Sequence, residues 1–333
     1  SRRRFPAFLA KHEVLCAGGD SPIVYMLTQD KLREVDSEQW ILRREITTGG
    51  TPISMTRCRS GIAVATTQPG RVLVLDPDSL QVKACVPVPQ IEQVAGCPAN
   101  DRLFLRVKSQ LGYTLAVINL EAERIEHLLS PMQATRQGED YPGHPVPYDA
   151  FDGIAVTDDG RFLCGVGNFV SRFRIDGERL SCLEVGDHLV RDKQFSLSSN
   201  GRYLALETGV FDIRKSIADP IFPLNSVASF HGCDLSPDDG SLLTCDGSFV
   251  RIHKPGGKME AYPWHGDSRI HEAAVHLLPS PGRMLVRAEG VWRAMTVPPA
   301  YDPQQRRSLH ATREEWAEAK FENPGLLRNV TGE

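Results

Sequence analysis

Short apolar runs, each closed by Gly, Pro, Asp or Asn, follow one another through most of the chain. "SLLTC", "FVRIHK" and "MEAYPW", between residues 241 and 264, are three in succession. Runs of this length, bounded by turn residues, predict strands rather than helices. The punctuation has a mechanism of its own. In "SPDDG", ending at Gly240, Pro presets one dihedral angle, Asp caps the turn and Gly takes a positive φ.

The device recurs in "VTDDGRFLCGV", "LSSNGRYLALE", "LSPDDGSLLTC" and "LPSPGRMLVRA". Their glycines, Gly160, Gly201, Gly240 and Gly282, stand 41, 39 and 42 residues apart. Weaker copies precede them at Gly61 and at Asp101 in "GCPANDRLFLR", 40 residues apart. A period near 40 with about four strands per unit predicts a β-propeller, because one such sheet cannot bury both of its faces alone. Seven units are expected. The first is assembled from "FPAFLA", "EVLCAG", "IVYML" and "QWILRREI"; the others span Thr51–Pro89, Ile91–Pro131, Tyr148–Val190, Arg191–Ser229, Phe230–Ser268 and Arg269–Val297. The seventh shows three strands, and its fourth must come from a chain end or from outside this sequence. An insertion, Met132–Tyr148, separates the third and fourth units. The expected fold is therefore all-β, a seven-bladed propeller over residues 1–298. A linker and a short helical tail follow over 299–333, where Thr312 and Glu315 form a capping box and Asn323-Pro324-Gly325 a stop.

The turn before an apolar strand, repeated over Phe5–Val297, resembles WD-repeat and related seven-bladed propellers. The likeness is one of fold: no unit ends in Trp-Asp, and the Gly143-His144 pair falls in the insertion. The resemblance implies an interaction platform. Its ligands would meet the face made by the loops into each innermost strand and the loops between second and third strands.

Composition narrows the picture little. The 333 residues carry a formal charge of −4, which gives no push towards nucleic acid; the Arg2–Arg4 cluster is expected to be solvated. No apolar run approaches the ~18–20 residues of a membrane span. The eight cysteines include no C-x-x-C and sit in strand-like settings, so they are expected to be reduced and mostly buried, as in the cytoplasm.

Chemistry-bearing motifs are few. "HEAAVH" resembles a zinc-protease helix, but His271 and His276 are five residues apart. On a helix they diverge by about 140°, and on a strand they face opposite sides. No shared metal is expected. His253, in an alternating strand, is expected to be exposed. The Asp158-Asp159 and Asp238-Asp239 pairs read as turn punctuation rather than calcium ligands. No phosphate loop or nucleophile elbow is present.

The expected function is a non-catalytic protein-binding scaffold, one module of a larger protein or complex, with no cofactor or metal and no nucleic-acid or membrane partner. The expected partner contacts are Asp149, Arg191, Asp192, His231, Arg269 and His271, at the starts of innermost strands, with Tyr141 and His144 from the insertion. The alternative is a propeller enzyme or small-ligand binder, similar to sugar-lactone-cleaving propellers, with polar groups converging on the central channel. Thr312–Phe321, with Trp316 and Phe321, is expected to pack on the propeller or on a neighbouring module.

Overall fold

The structure, a computed structural model, describes residues 14–16, 21–27, 30–39, 41–109, 112–120, 124–129, 151–167, 170–176, 179–186, 195–198, 200–224, 233–245, 249–263, 274–277, 283–288 and 291–296. These form an all-β propeller. The first blade holds β1 (Val14–Cys16), β2 (Ile23–Leu27), β3 (Lys31–Asp36) and β4 (Ile41–Thr47). The second holds β5 (Thr51–Cys58), β6 (Gly61–Thr67), β7 (Arg71–Leu75) and β8 (Val82–Pro87). The third holds β9 (Ile91–Ala95), β10 (Arg102–Ser109), β11 (Gly112–Asn119) and β12 (Arg124–Leu129). In the fourth are β13 (Phe151–Val156), β14 (Phe162–Gly167), β15 (Val170–Asp176) and β16 (Arg179–Gly186). The fifth comprises β17 (Ser196–Leu197), β18 (Tyr203–Leu206), β19 (Gly209–Asp212) and β20 (Phe222–Pro223). The sixth comprises β21 (Asp234–Leu235), β22 (Leu242–Cys245), β23 (Phe249–His253) and β24 (Met259–Pro263). Each is an antiparallel sheet in chain order. A three-stranded sheet follows: β25 (Ala274–Leu277), β26 (Arg283–Ala288) and β27 (Val291–Thr296).

Six complete blades stand where seven were expected, because the last sheet has no fourth strand among the described residues. The expected helical tail and linker, 299–333, lie outside the described residues. The first blade also corrects the sequence reading. Its third strand is the charged segment "KLREVD", so the blade is complete without "FPAFLA", which lies outside the described residues.

The blades stack through layers of apolar side chains. First strands of successive sheets lie side by side: β1 by β5, β5 by β9, β9 by β13, β17 by β21 and β21 by β25. Each middle strand then serves two interfaces, because alternate residues face opposite sides. Val64 packs towards the first blade with Tyr25 and Leu32, while Ala63 and Ala65 pack towards Leu103 and Leu105 of the third. Leu163 faces Phe104 and Cys97; Cys164 faces Leu204 and Phe211. Burial on both faces explains why "GIAVATT" reads as continuously apolar. Outer strands alternate instead: β4 shows exposed Arg43, Glu45 and Thr47.

Polar side chains stitch the blades as well. Ser54 Oγ bonds both the N–H and the carbonyl of Val94, at 3.2 and 3.3 Å, and Thr56 Oγ1 does the same to Gly96, at 3.1 and 3.2 Å. Gln93 Nε2 donates to the Ile154 carbonyl at 2.7 Å, and its Oε1 accepts the Ile154 N–H at 3.0 Å. Edge groups of β9 and β13 that would otherwise stay unpaired are thus satisfied from the preceding blade.

The repeated turns form a second chain of contacts. Asp159 Oδ1 accepts from Thr157 Oγ1 at 2.6 Å and from the Arg161 N–H at 3.0 Å; Asp239 accepts the Ser241 N–H at 2.9 Å. The carboxylates hold their own turns, as the sequence predicted. Each turn also leans on a neighbour: Ser60 N–H donates to Asp101 Oδ1, Asn200 Nδ2 to the Pro237 carbonyl and Tyr203 Oη to the Asp238 carbonyl. Cys58 takes the place that Thr157 and Ser198 hold in later turns, with its Sγ 3.4 Å from the Gly61 carbonyl.

Candidate functional site

In a sheet whose antiparallel strands follow chain order, the loop from second to third strand and the loop into the next blade lie at the same end. That end is the face the sequence singled out. All eight expected contacts, Asp149, Arg191, Asp192, His231, Arg269, His271, Tyr141 and His144, lie outside the described residues, as does the whole Met132–Tyr148 insertion. The described part of the face belongs to the first five blades.

Between the first and second blades the face is a loop held from below. Arg71, at the start of β7, directs Nη2 at the carbonyls of Thr48 and Gly49, both at 3.0 Å. Thr48 is buried, and its hydroxyl lies 2.9 Å from the Asp30 carbonyl and 2.7 Å from that of Gly50. Next to it, Gln68-Pro69-Gly70 packs on the linker into the third blade, where the Val88 N–H donates to the Gly70 carbonyl at 2.9 Å. Gln68 and Gln90 both adopt left-handed backbone, at φ 54° and 58°, and both are exposed. Non-glycine residues rarely hold that conformation unless their surroundings fix it.

At the junction of the third and fourth blades the fixing group is Arg106. Nη1 donates to the Phe151 carbonyl at 2.8 Å, Nη2 pairs with Glu92 at 2.7 Å, and the guanidinium lies 4.2 Å from the centre of the Tyr113 ring. Its side chain is 13% exposed, and Nε is buried without a hydrogen-bond partner among the described residues, as is Nε of Arg71. The Phe151 carbonyl opens β13, immediately after the insertion, so Arg106 anchors the point where the insertion returns to the sheet. Sequence reasoning missed Arg71, Glu92 and Arg106. "QPG" at 68–70 was a readable turn signal; the arginines carried none, because their partners are distant backbone atoms.

The remaining candidate chemistry is structural. Among the described residues no group of three or more His, Cys, Asp or Glu is placed to hold a metal ion. His276 lies on β25, a strand, opposite Leu285; His271 lies outside the described residues. His253 is half-buried rather than exposed, because its Nε2 lies 3.2 Å from Thr244 Oγ1 on the paired strand. Burial pushes its pKa down, and Arg251 adds to the effect. Cys58, Cys97, Cys164, Cys182 and Cys233 are buried thiols as expected, while Cys85, on the outer strand β8, is exposed. Burial raises the Cys58 thiol to about 11 and the Cys164 thiol to about 12, so neither is a ready nucleophile. No helix among the described residues is long and apolar enough to cross a membrane.

No protein-family model matches the chain, and no curated protein matches it. Solved structures do. A functionally unknown protein from Desulfotomaculum acetoxidans DSM 771 superposes with a TM-score of 0.59 at 15% identity, over 84% of this chain and 95% of that one. Hydrazine synthase of Kuenenia stuttgartiensis gives a TM-score of 0.47 at 15% identity, over 83% and 81%. The first likeness shows the fold. A total of 1029 solved chains match beyond chance, so the architecture is too widely shared to select a function.

Proposed function

We propose that this protein is a non-catalytic protein-interaction scaffold, a divergent WD-repeat-like propeller acting as one module of a larger protein or complex in the cytoplasm. In this reading the three-stranded sheet is a seventh blade. The partner sits on the loop face, where Asp149, Arg191, Asp192, His231, Arg269, His271, Tyr141 and His144 join the described surface around Gln68 and Gln90.

One observation carries the proposal. In the described part of this face Arg71, Glu92 and Arg106 are engaged with loop backbone or with each other. What they leave exposed is Thr51, Gln68, Pro69, Pro89 and Gln90, with Asp30, Lys108, Glu207 and Thr208 also exposed on the described face. That is a surface of hydrogen-bonding and apolar groups with scattered charges, held in place from below and suited to recognition at low ordering cost.

The test is proximity labelling in cells with the full chain. Thr51→Arg, Gln68→Arg and Gln90→Arg together should deplete a reproducible set of labelled proteins. Lys258→Glu, at the opposite end of the blades, should retain that set. Identical sets for both variants would remove the reading. Elemental analysis of the purified protein addresses the propeller-enzyme alternative, which a stoichiometric, tightly held divalent metal would favour.

A further inference from the structure

We propose that Asn200 is a one-way modification site: its deamidation is held off while the fifth and sixth blades are seated on each other, and its product cannot reseat them. Asn200-Gly201 is the one Asn-Gly pair in the chain. A glycine, having no Cβ, leaves its amide nitrogen open to approach by the preceding side chain. In the reaction that nitrogen loses its proton to water and bonds to Asn200 Cγ. Nδ2 leaves as ammonia, and the ring formed is a succinimide. Water then opens the ring at either carbonyl, giving aspartate or isoaspartate. The net change is a water gained and an ammonia lost, with no oxidation or reduction.

In the seated turn every reacting group is engaged. The Gly201 N–H donates to the Ser198 carbonyl at 2.9 Å. The Asn200 carboxamide is held at both ends. Oδ1 accepts from Ser198 Oγ at 2.7 Å and from the Arg202 N–H at 3.1 Å. Nδ2 donates to the Pro237 carbonyl, in the turn of the sixth blade, at 2.8 Å. Gly201 is itself buried against the Val156 and Thr157 backbone of the fourth blade. Turning the carboxamide onto the Gly201 nitrogen gives up these bonds, and the amide proton is released only from an opened turn. Attack therefore waits for the contact between the two blades to open.

The sibling turns show what an aspartate at this position does. Asp159 accepts the Arg161 N–H and Asp239 the Ser241 N–H, at the same offset as Asn200 accepts that of Arg202. An aspartate thus closes its own turn. It has no N–H to offer the Pro237 carbonyl, and its carboxylate oxygen would meet that carbonyl with like partial charge. The iso form fits less well. It routes the main chain through Cβ, adding one atom next to Gly201, where the Val156 carbonyl leaves no room for a methyl group. The two blades then lean on the Tyr203 Oη bond to the Asp238 carbonyl, at 3.2 Å, and on the apolar layer of Tyr203, Phe222 and Leu235.

Peptide mapping by mass spectrometry, on the full chain aged in mildly alkaline buffer, reads the conversion at Asn200. It should run at least about 10-fold more slowly than in the free peptide LSSNGRYLA. Tyr203→Phe removes the Oη bond to the Asp238 carbonyl and leaves Asn200 untouched. It should speed conversion by about 2- to 10-fold, the worth of one hydrogen bond. Gln93→Leu, which loosens the junction of the third and fourth blades instead, should leave the rate unchanged. The converted chain, separated by its added negative charge, should show a lower urea midpoint than the unconverted one. Conversion as fast in the native chain as in the peptide would overturn the proposal. So would equal acceleration by Tyr203→Phe and Gln93→Leu, which would make the opening global, or no acceleration by Tyr203→Phe. An unchanged urea midpoint after conversion would show that the product reseats the blades, and would overturn it too.

Discussion

Gly201→Ala should destabilise the protein through one turn leaning on another, and Gly256→Ala provides the comparison that isolates this effect. Both glycines hold left-handed backbone, φ 66° and 82°. An L side chain in that region costs about 1–2 kcal/mol wherever it occurs. At Gly256 nothing lies within 4 Å of an added Cβ, so the backbone term is the whole cost. At Gly201 the Cβ would fall 2.0 Å from the Val156 carbonyl oxygen and 3.2 Å from the Thr157 nitrogen, in the turn of the preceding blade. Backbone on both sides cannot swing away as a flexible side chain would. The two turns must separate, which adds about 1–3 kcal/mol for a methyl forced into packed structure. The expected totals are about 2–5 kcal/mol for Gly201→Ala and about 1–2 kcal/mol for Gly256→Ala. Urea denaturation followed by tryptophan fluorescence reads the shift in midpoint. Equal shifts for the two variants would refute the claim that the turns bear on one another.

Other expectations follow from single contacts. Gln93→Leu leaves one buried N–H and one buried carbonyl of Ile154 unpaired, so it should cost about 2–5 kcal/mol in the same assay. Cys85→Ser should remove one rapidly titrating thiol from the native protein, whereas Cys164→Ser should change the count only after unfolding. Burial first, and Arg251 second, hold the His253 pKa below its ordinary value of 6.5. The unfolded chain therefore binds a proton that the folded chain resists. The associated stability is fully present above pH 6.5 and is lost as pH falls towards the depressed folded value. His253→Gln should accordingly lose less stability than wild type between pH 7.5 and pH 5, measured as urea midpoints; an equal loss would show that His253 is not responsible.

The repeat was legible because its turns obey local chemistry. A glycine with positive φ, an Asp or Asn accepting the amide two residues on and a Ser or Thr closing the turn are all written within six residues. β3 was not legible, for an equally physical reason. "KLREVD" looks solvated, yet Arg33, Glu34 and Asp36 are all buried. The strand beside it neutralises each of them: Arg33 pairs with Glu45 at 2.6 Å, Asp36 with Arg43 at 3.0 Å, and Glu34 with Arg44. Arg44 reaches on to the carbonyls of Pro77 and Asp78 in the next blade. A hydropathy pattern sees six residues of which four are charged; the sheet sees charges already paired across one ladder step. "FPAFLA", the more apolar segment, was taken for a strand of a blade that is complete without it.

The same reasoning explains why the candidate face was harder to read than the fold. Periodicity records what every blade must do: bury two faces and seat its turn on a neighbour. Ser54 and Thr56 meet Val94 and Gly96 at a separation of 40 residues, the repeat length itself, so such contacts are implied by the period. Gln93 meets Ile154 at 61 residues and Arg106 meets Phe151 at 45, across the insertion, where the period breaks. Thr66, Gly165, Leu206 and Cys245 stand 5 residues after their turn glycines, as Arg106 stands 5 after Asp101, and none of the four is an arginine, while Arg287 stands 5 after Gly282. Arg106 thus departs from most blades at this position, and it fixes the strand to which the insertion returns. A residue that departs from most of the repeat, while its neighbours keep to it, is answering a demand that most other blades do not share. Arg106 and Gln93 both act at the junction of the third and fourth blades, and a test of the proposed interaction face should begin there.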